Sequence, residues 1–142
     1  MNSIDEMEVA RRVGETMMRN DTAAQAMEIT LLEIRPGFAK MKMIVRRDML
    51  NGFEICHGGM TFALADTAFA YACNSRNKKT VAMQCSIHYV AASKEGDELT
   101  AIADETSLTG RTGVYDITII NQHGQTVAHF RGTSYATSST VY

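Results

Sequence analysis

The sequence lacks an excess of charge of either sign. Its formal net charge is -2 over 142 residues, which provides neither the basic footprint of a nucleic-acid binder nor attraction to an anionic membrane surface. It also lacks paired cysteines. Cys56, Cys73 and Cys85 form an odd set with no C-x-x-C spacing. Two of them sit in apolar runs, so they read as buried thiols of a reducing compartment. The N-terminal stretch "MNSIDEMEVARRVGETMMRND" mixes acids and bases and has no apolar core. That excludes a secretory signal, and the expected location is cytoplasmic. No repeat and no low-complexity tract is visible. One run, residues 57–75, is long enough to cross a bilayer, about 28 Å as a helix. It contains His57, Gly58, Gly59, Thr61, Asp66 and Thr67 and lacks stop-transfer flanks, so it reads as a core helix of a soluble protein. The length is that of one domain, residues 1–142. Such a chain can bury a core alone, although a small single sheet would gain from a partner.

What is present is a clear alternation of periods. Val9, Val13, Met17 and Met18 recur near helical spacing. They predict a short, partly exposed helix over about residues 3–19, strongest from residue 6 onward and stopped by "RND". The runs "ITLLEI" and "AKMKMIVR" flank "RPGF", where the only proline, Pro36, precedes Gly37. This is hairpin chemistry. In the second arm Ala39, Met41, Met43 and Val45 alternate with Lys40, Lys42 and Arg46, the pattern of a strand with one solvated face. The methionines there read as core, with some available to line an adaptable apolar pocket.

Four further strand-like runs close the chain: "TVAMQCSIHYV", "DELTAIADETSL", "RTGVYDITIIN" and "QTVAHFRGTSY". Lys94-Glu95-Gly96-Asp97, Thr109-Gly110 and Gln122-His123-Gly124 mark the turns between them. Strands grouped around a single long apolar helix argue for an α+β fold with an antiparallel sheet wrapped around that helix. Ala63, Ala65, Ala68, Ala70 and Ala72 allow strands to approach from several sides. A helix apolar all round is expected to be buried.

The segment "NGFEICHGGMTFALADTAFAYACNS" carries the chemistry. "NGFEIC" reads as a loop, and Gly58-Gly59 open the helix. Gly59, Phe62, Ala63, Asp66, Phe69, Ala70 and Cys73 share one stripe at three- and four-residue spacing. Asp66 stands mid-helix, with no Lys or Arg within one turn. An unpaired buried carboxylate costs on the order of several kcal/mol. A core aspartate satisfied by Thr67 or by a strand residue is the plain alternative, but the lack of any other formal charge in the helix favours a functional role. Unpaired N–H groups and the positive end of the dipole lie at the helix start, where glycine permits close approach. Gly-Gly alone could be a simple turn. Together with a carboxylate it offers donors for an oxyanion and a base for water, the needs of acyl-transfer hydrolysis.

Gly58 and Asp66 are eight residues apart, about 12 Å along a helix. Both must reach one carbonyl within about 3 Å. Two antiparallel helices across a two-fold axis could achieve that, with Asp66 of each chain facing Gly58 of the other.

From about Asp21 to Tyr135 the chain resembles the hotdog-fold acyl-CoA thioesterases of the phenylacetate-degradation type. The resemblance rests on "MLNGFEICHGGMTFALADTAFAYACNS", "GRTGVYDITIINQ" and "VAHFRG". It implies a hotdog fold and hydrolysis of thioesters of the phenylacetyl-CoA or hydroxylated phenylacetyl-CoA type. In this reading Asp66 is the catalytic carboxylate, as general base or nucleophile. Gly58 supplies the amide that polarises the thioester carbonyl, and Asn51 and His57 line the same site. The resemblance also implies homodimers with shared sites, paired into a homotetramer. Related enzymes often carry a Ser or Thr on the strand after the helix to position the water. The nearest positions here are Ala82 and, further along, Ser86, which leaves the water's second partner open.

Coenzyme A, as part of substrate and product, brings phosphates, and no separate cofactor is expected. Arg111 in "TGRTG" lies in a Gly-flanked turn where a guanidinium and free N–H groups could meet them, with Thr112 and Gly113 beside it. Gly59, Thr67, Tyr89 and Arg131 complete the substrate-binding candidates, although an ordinary surface or strand-end role fits Arg131 equally. His88, His123 and His129 have no second ligand at metal spacing, so no metal is expected. Two other functions compete. A hotdog hydratase or dehydratase would want Asp and His together on the helix, whereas His57 and Asp66 are about two and a half turns apart. A non-catalytic acyl-CoA sensor would need an output domain, for which this length leaves no room. Release of free thiol from phenylacetyl-CoA, against stoichiometric binding, discriminates them.

Overall fold

A computed structural model describes residues 2–142. The first helix, α1, spans Ser3–Asn20, and the Asn2 side chain caps it by accepting from the Asp5 N–H. Its buried side is narrow: Ala10, Val13 and Gly14. The "RND" stop does more than end α1. Asp21 accepts from the Ala24 N–H and so starts a second helix, α2, Thr22–Ala26, which the apolar periodicity did not signal because five residues cannot display a period. Strands β1, Thr30–Arg35, and β2, Phe38–Ile44, then form the hairpin. Its turn is at Pro36-Gly37, where Gly37 adopts φ 73°, a conformation glycine takes without strain. A single 3-10 turn over Arg47–Met49 leads into the loop before α3, Gly58–Asn74. The last four strands are β3, Thr80–Tyr89, β4, Glu98–Thr109, β5, Thr112–Ile120, and β6, Thr126–Ala136.

All six strands form one antiparallel sheet in the order β1-β2-β4-β5-β6-β3. The sheet curls round α3, which packs against every strand. The expected alternation holds where the sheet is central. Ala39, Met41, Met43 and Val45 are buried, as are Tyr115, Ile117 and Ile119. Leu64, Ala65, Ala68, Tyr71 and Ala72 of α3 meet them in one core. Buried polar groups fix the end of α3. The Asn74 amide donates to the Thr80 carbonyl at 3.0 Å and accepts from the Thr80 N–H at 2.9 Å. Ser75 Oγ accepts from the Gly37 N–H at 2.8 Å, so the helix end is tied to both β3 and the first hairpin.

One expectation needs correcting. The helix is apolar all round but not buried all round. Gly59, Phe62, Ala63, Asp66, Ala70 and Cys73 remain partly or fully exposed. The sheet covers one side of α3 only, and β3 on its edge leaves the other side open. Most of β3 is exposed too, with Val81, Met83 and Tyr89 at 50, 64 and 50 %. No helix among the described residues is long and apolar enough to cross a membrane.

Candidate active site

The loop before α3 is built by Asn51. Its side-chain carbonyl accepts from the Phe53 N–H at 2.9 Å and from the Ile55 N–H at 3.4 Å. This turn fixes the amide's orientation and leaves the Nδ2 hydrogens free as donors. His57 then caps α3. Its Nδ1 accepts from the Gly59 N–H at 3.1 Å, which makes Nδ1 the unprotonated nitrogen and leaves Nε2 to face outward. The same contact removes Gly59 as an anion donor. The next N–H groups, of Met60 and Thr61, bond the His57 carbonyl. The Gly58 N–H has no acceptor among the described residues, so it is the donor left open at the positive end of the helix.

A side chain at residue 58 would be crowded in this setting. A Cβ there would lie 3.0 Å from the ring and hydroxyl of Tyr89, and the Tyr89 hydroxyl donates to the Gly58 carbonyl at 2.8 Å. The tyrosine thus acts on the helix start directly, a contact its position on the strand did not announce. Around these residues lies a cavity of about 280 Å³, lined by Asn51, Gly58, Thr61, Tyr89, Ser93 and Val127 among others. Ser93 was not singled out by the sequence, since a serine in a polar loop gives no signal of its own. Grooves of about 680 and 790 Å³ run between α1 and β1 and contain none of the sequence-predicted site residues, whereas one of about 710 Å³ beside the loop before α3 shares Asn51.

Asp66 is half-buried on the open face of α3. Burial pushes its carboxyl above the usual carboxylate range, and no hydrogen bond or charge among the described residues opposes that shift. Thr67 does not satisfy it, because its hydroxyl donates back to the Ala63 carbonyl at 2.6 Å. Both Asp66 oxygens are therefore available to an incoming group. The nearby thiols are not nucleophiles near neutral pH. Burial pushes Cys73 up to about 12 and raises Cys85 and Cys56 as well, and the thiolate is the reactive form.

The coenzyme candidates lie elsewhere. Gly110 and Arg111 form the turn between β4 and β5, and one Arg111 nitrogen donates to the Ala136 carbonyl at 3.1 Å. Thr112 pairs with Tyr135 at the far end of β6, while Tyr89 pairs with Ala128 and so lies level with Ile119. Seven residues of β5 separate the two levels, about 24 Å. Within one chain, then, Arg111 and Gly58 sit at opposite ends of the sheet. Gly113 is a strand residue rather than part of the turn. Its missing side chain makes room for Tyr115 and Ser134, which a Cβ would approach to 2.8 and 2.9 Å. Arg131 is engaged by Asp116 through two bonds of 2.7 and 2.8 Å. That pair lies mid-strand across β5 and β6, so Arg131 is not at a strand end. Among the described residues no group of three or more His, Cys, Asp or Glu could hold a metal.

Residues 53–128 match the family model described as the thioesterase superfamily. The chain is 47% identical over 125 residues to the acyl-coenzyme A thioesterase PaaI of Escherichia coli K12, covering 88% of this chain and 89% of that protein. It is 38% identical to a putative esterase of Archaeoglobus fulgidus, over 90% of this chain and 83% of the relative. The structure of E. coli PaaI, from the phenylacetic acid degradation operon, superposes with a TM-score of 0.93 at 44% identity, covering 95% and 98% of the two chains. A Streptococcus mutans protein solved bound to acetyl CoA superposes with a TM-score of 0.76 at 28% identity, covering 79% and 90%.

Proposed function

The chain belongs to the thioesterase superfamily, and from that premise we propose how its own residues hydrolyse an acyl-CoA. It is a hydrolase of acyl-CoA thioesters with a hotdog fold. The observation that carries the mechanism is a pair of groups with no partner among the described residues: the Gly58 N–H and the Asp66 carboxylate. The thioester carbonyl accepts from the Gly58 N–H, and the dipole of α3 favours the negative charge that grows on that oxygen. Asp66 takes a proton from water as the water oxygen bonds to the carbonyl carbon. The tetrahedral intermediate then collapses, the C–S bond breaks, and the thiolate leaves and is protonated. Free acid and coenzyme A result. Burial raises the Asp66 carboxyl above its usual range, which makes it a stronger base once ionised. Asn51 Nδ2 and His57 Nε2 donate from the loop side.

One chain cannot assemble this site, because Gly58 and Asp66 stand about 12 Å apart along α3. We place two chains edge to edge along β3, with their α3 helices antiparallel, so that each site combines Asp66 of one chain with Asn51, His57 and Gly58 of the other. The exposed apolar side chains of β3 and the open stripe of α3 support that arrangement. It also brings the Arg111 end of one chain toward the Gly58 end of its partner, which is where a coenzyme phosphate would be met. Pairing of dimers into a homotetramer and a cytoplasmic location belong to the same reading. The likeness to E. coli PaaI supports an arylacetyl group as the acyl portion.

The test is steady-state release of thiol from phenylacetyl-CoA, with acetyl-CoA for comparison. Multiple turnovers with preference for the aryl substrate are expected. Stoichiometric binding without turnover would make the protein a sensor, and hydration of an enoyl-CoA in its place would make it a hydratase.

A further inference from the structure

Helix α1 leaves one flank open. It packs on β1, the strand that ends the sheet, and a groove between the two runs along most of the helix. Ile4, Met7 and Leu32 line one half of it, Met18 and Ile29 line the other, and Leu31 belongs to both. Ile4, Met7 and Leu32 are 78, 46 and 47 % exposed. An uncovered apolar sheet edge of this kind is a place of association. Charges follow the same flank. Glu8, Arg11, Glu15 and Arg19 border the groove at three- and four-residue spacing, with alternating sign. Arg11 donates to Glu8 at 2.9 Å and also to Glu15, and all three side chains stay more than half exposed. Arg19 reaches only the Glu15 carbonyl and the Thr16 hydroxyl among the described residues, both at 3.4 Å.

The order of these charges is its own complement. A second copy turned about a two-fold axis level with Val13 lays its α1 antiparallel to the first. Arg11 then meets Glu15 of the other copy, and Glu8 comes beside Arg19 of the other copy. Both pairs share that midpoint to within about 1 Å along the helix, and the two-fold axis repeats each of them. The same rotation lays the Ile4–Met7 end of each helix over the Met18–Ile29 half of the other groove. We propose that α1 and the β1 edge form an isologous interface with a second copy of this chain. The four charges cancel, so an anionic membrane has nothing to attract it here, and a partner of another kind would not require a self-matched order. The face is separate from the β3 edge. With both in use, two β3-paired dimers join into the homotetramer of the reading above, and that last step alone rests on that reading.

The test is the mass of the full chain in solution, by light scattering and native mass spectrometry. Arg11→Glu with Arg19→Glu makes the flank wholly acidic, and Glu8→Arg with Glu15→Arg makes it wholly basic. Each double variant alone should have half the parental mass. Circular dichroism and acyl-CoA turnover should stay as in the parent, since none of the four residues lines the active site. A mixture of the two double variants should recover the parental mass as a one-to-one assembly. Ile4→Asp changes an exposed side chain and leaves the four charges in place, and it should halve the mass as well. Parental mass in these variants, a mixture that stays at half, or a monomeric parent would overturn the interface. A dimeric parent whose variants are monomers would support the α1 interface and overturn the β3 pairing, so the two readings fail separately.

Discussion

The Tyr89 hydroxyl donates to the Gly58 carbonyl at 2.8 Å, while its ring occupies the space that a side chain on residue 58 would need. One residue at the end of β3 thus fixes both the size and the orientation of the first peptide of α3. Tyr89 was a candidate for touching the coenzyme, and we propose that through this contact it positions the Gly58–Gly59 peptide, the neighbour of the one that carries the Gly58 N–H. Tyr89→Phe keeps the ring and removes only the bond, worth about 1 kcal/mol. It should lower kcat about fivefold with little change in KM. Gly58→Ala should be far more harmful in the parent than in Tyr89→Ala, where the space is free. A double-mutant cycle measures that coupling, and additive effects would reduce Tyr89 to packing.

Asp66 makes a prediction with two signs. Asp66→Asn should lose at least about a hundredfold in kcat, as for removal of a general base. It should also stabilise the fold near neutral pH. Burial raises the Asp66 pKa in the folded chain, so the folded state holds its proton more tightly than the unfolded one. The contribution of Asp66 is most favourable below its unfolded pKa and is lost as pH rises through the folded value. The gain from Asp66→Asn should therefore be present at pH 7 and vanish in acid, as thermal midpoints measured across pH would reveal. For the same reason the acid limb of kcat/KM should fall at a pH above the ordinary carboxylate range. A midpoint of the limb at or below that range would separate activity from Asp66.

Much of this was legible in the sequence where one rule acts alone. The alternation of Ala39, Met41, Met43 and Val45 with lysines needs only a strand with one wet face, and these four are buried. The glycines at the start of α3 and the isolated Asp66 needed only helix geometry. What escaped depends on neighbours distant in sequence. Arg131 has its partner in Asp116 because of the β5–β6 register. Gly113 is small because Tyr115 and Ser134 crowd it, not because a turn demands it. The open face of α3 was hidden by its own composition, since an apolar stripe looks the same whether its cover comes from the same chain or from another.

Arg111 remains the cation proposed for a coenzyme phosphate. Among the described residues only one of its nitrogens is held, by the Ala136 carbonyl, and the guanidinium has further donors to offer. Arg111→Ala should raise KM for acyl-CoA severalfold with kcat nearly unchanged, the mark of lost uniform binding. A truncated thioester without the nucleotide should be indifferent to the change. Equal damage on both substrates would assign Arg111 to the β4–β5 turn alone.

The shared site can be tested without any further structure. Asp66→Ala and Asn51→Ala should each be inactive. If every site takes Asp66 from one chain and Asn51, His57 and Gly58 from the other, a mixed dimer has one site with both lesions and one with neither. Random reassembly after dissociation makes half of the dimers mixed, and each of these has one intact site of two, so about a quarter of parental activity should return. Sites contained in single chains would hold one lesion each in every combination and recover nothing. Mass spectrometry of the reassembled sample must confirm subunit exchange. With exchange confirmed, an inactive mixture would show that Asp66 and Gly58 do not meet across the β3 edge.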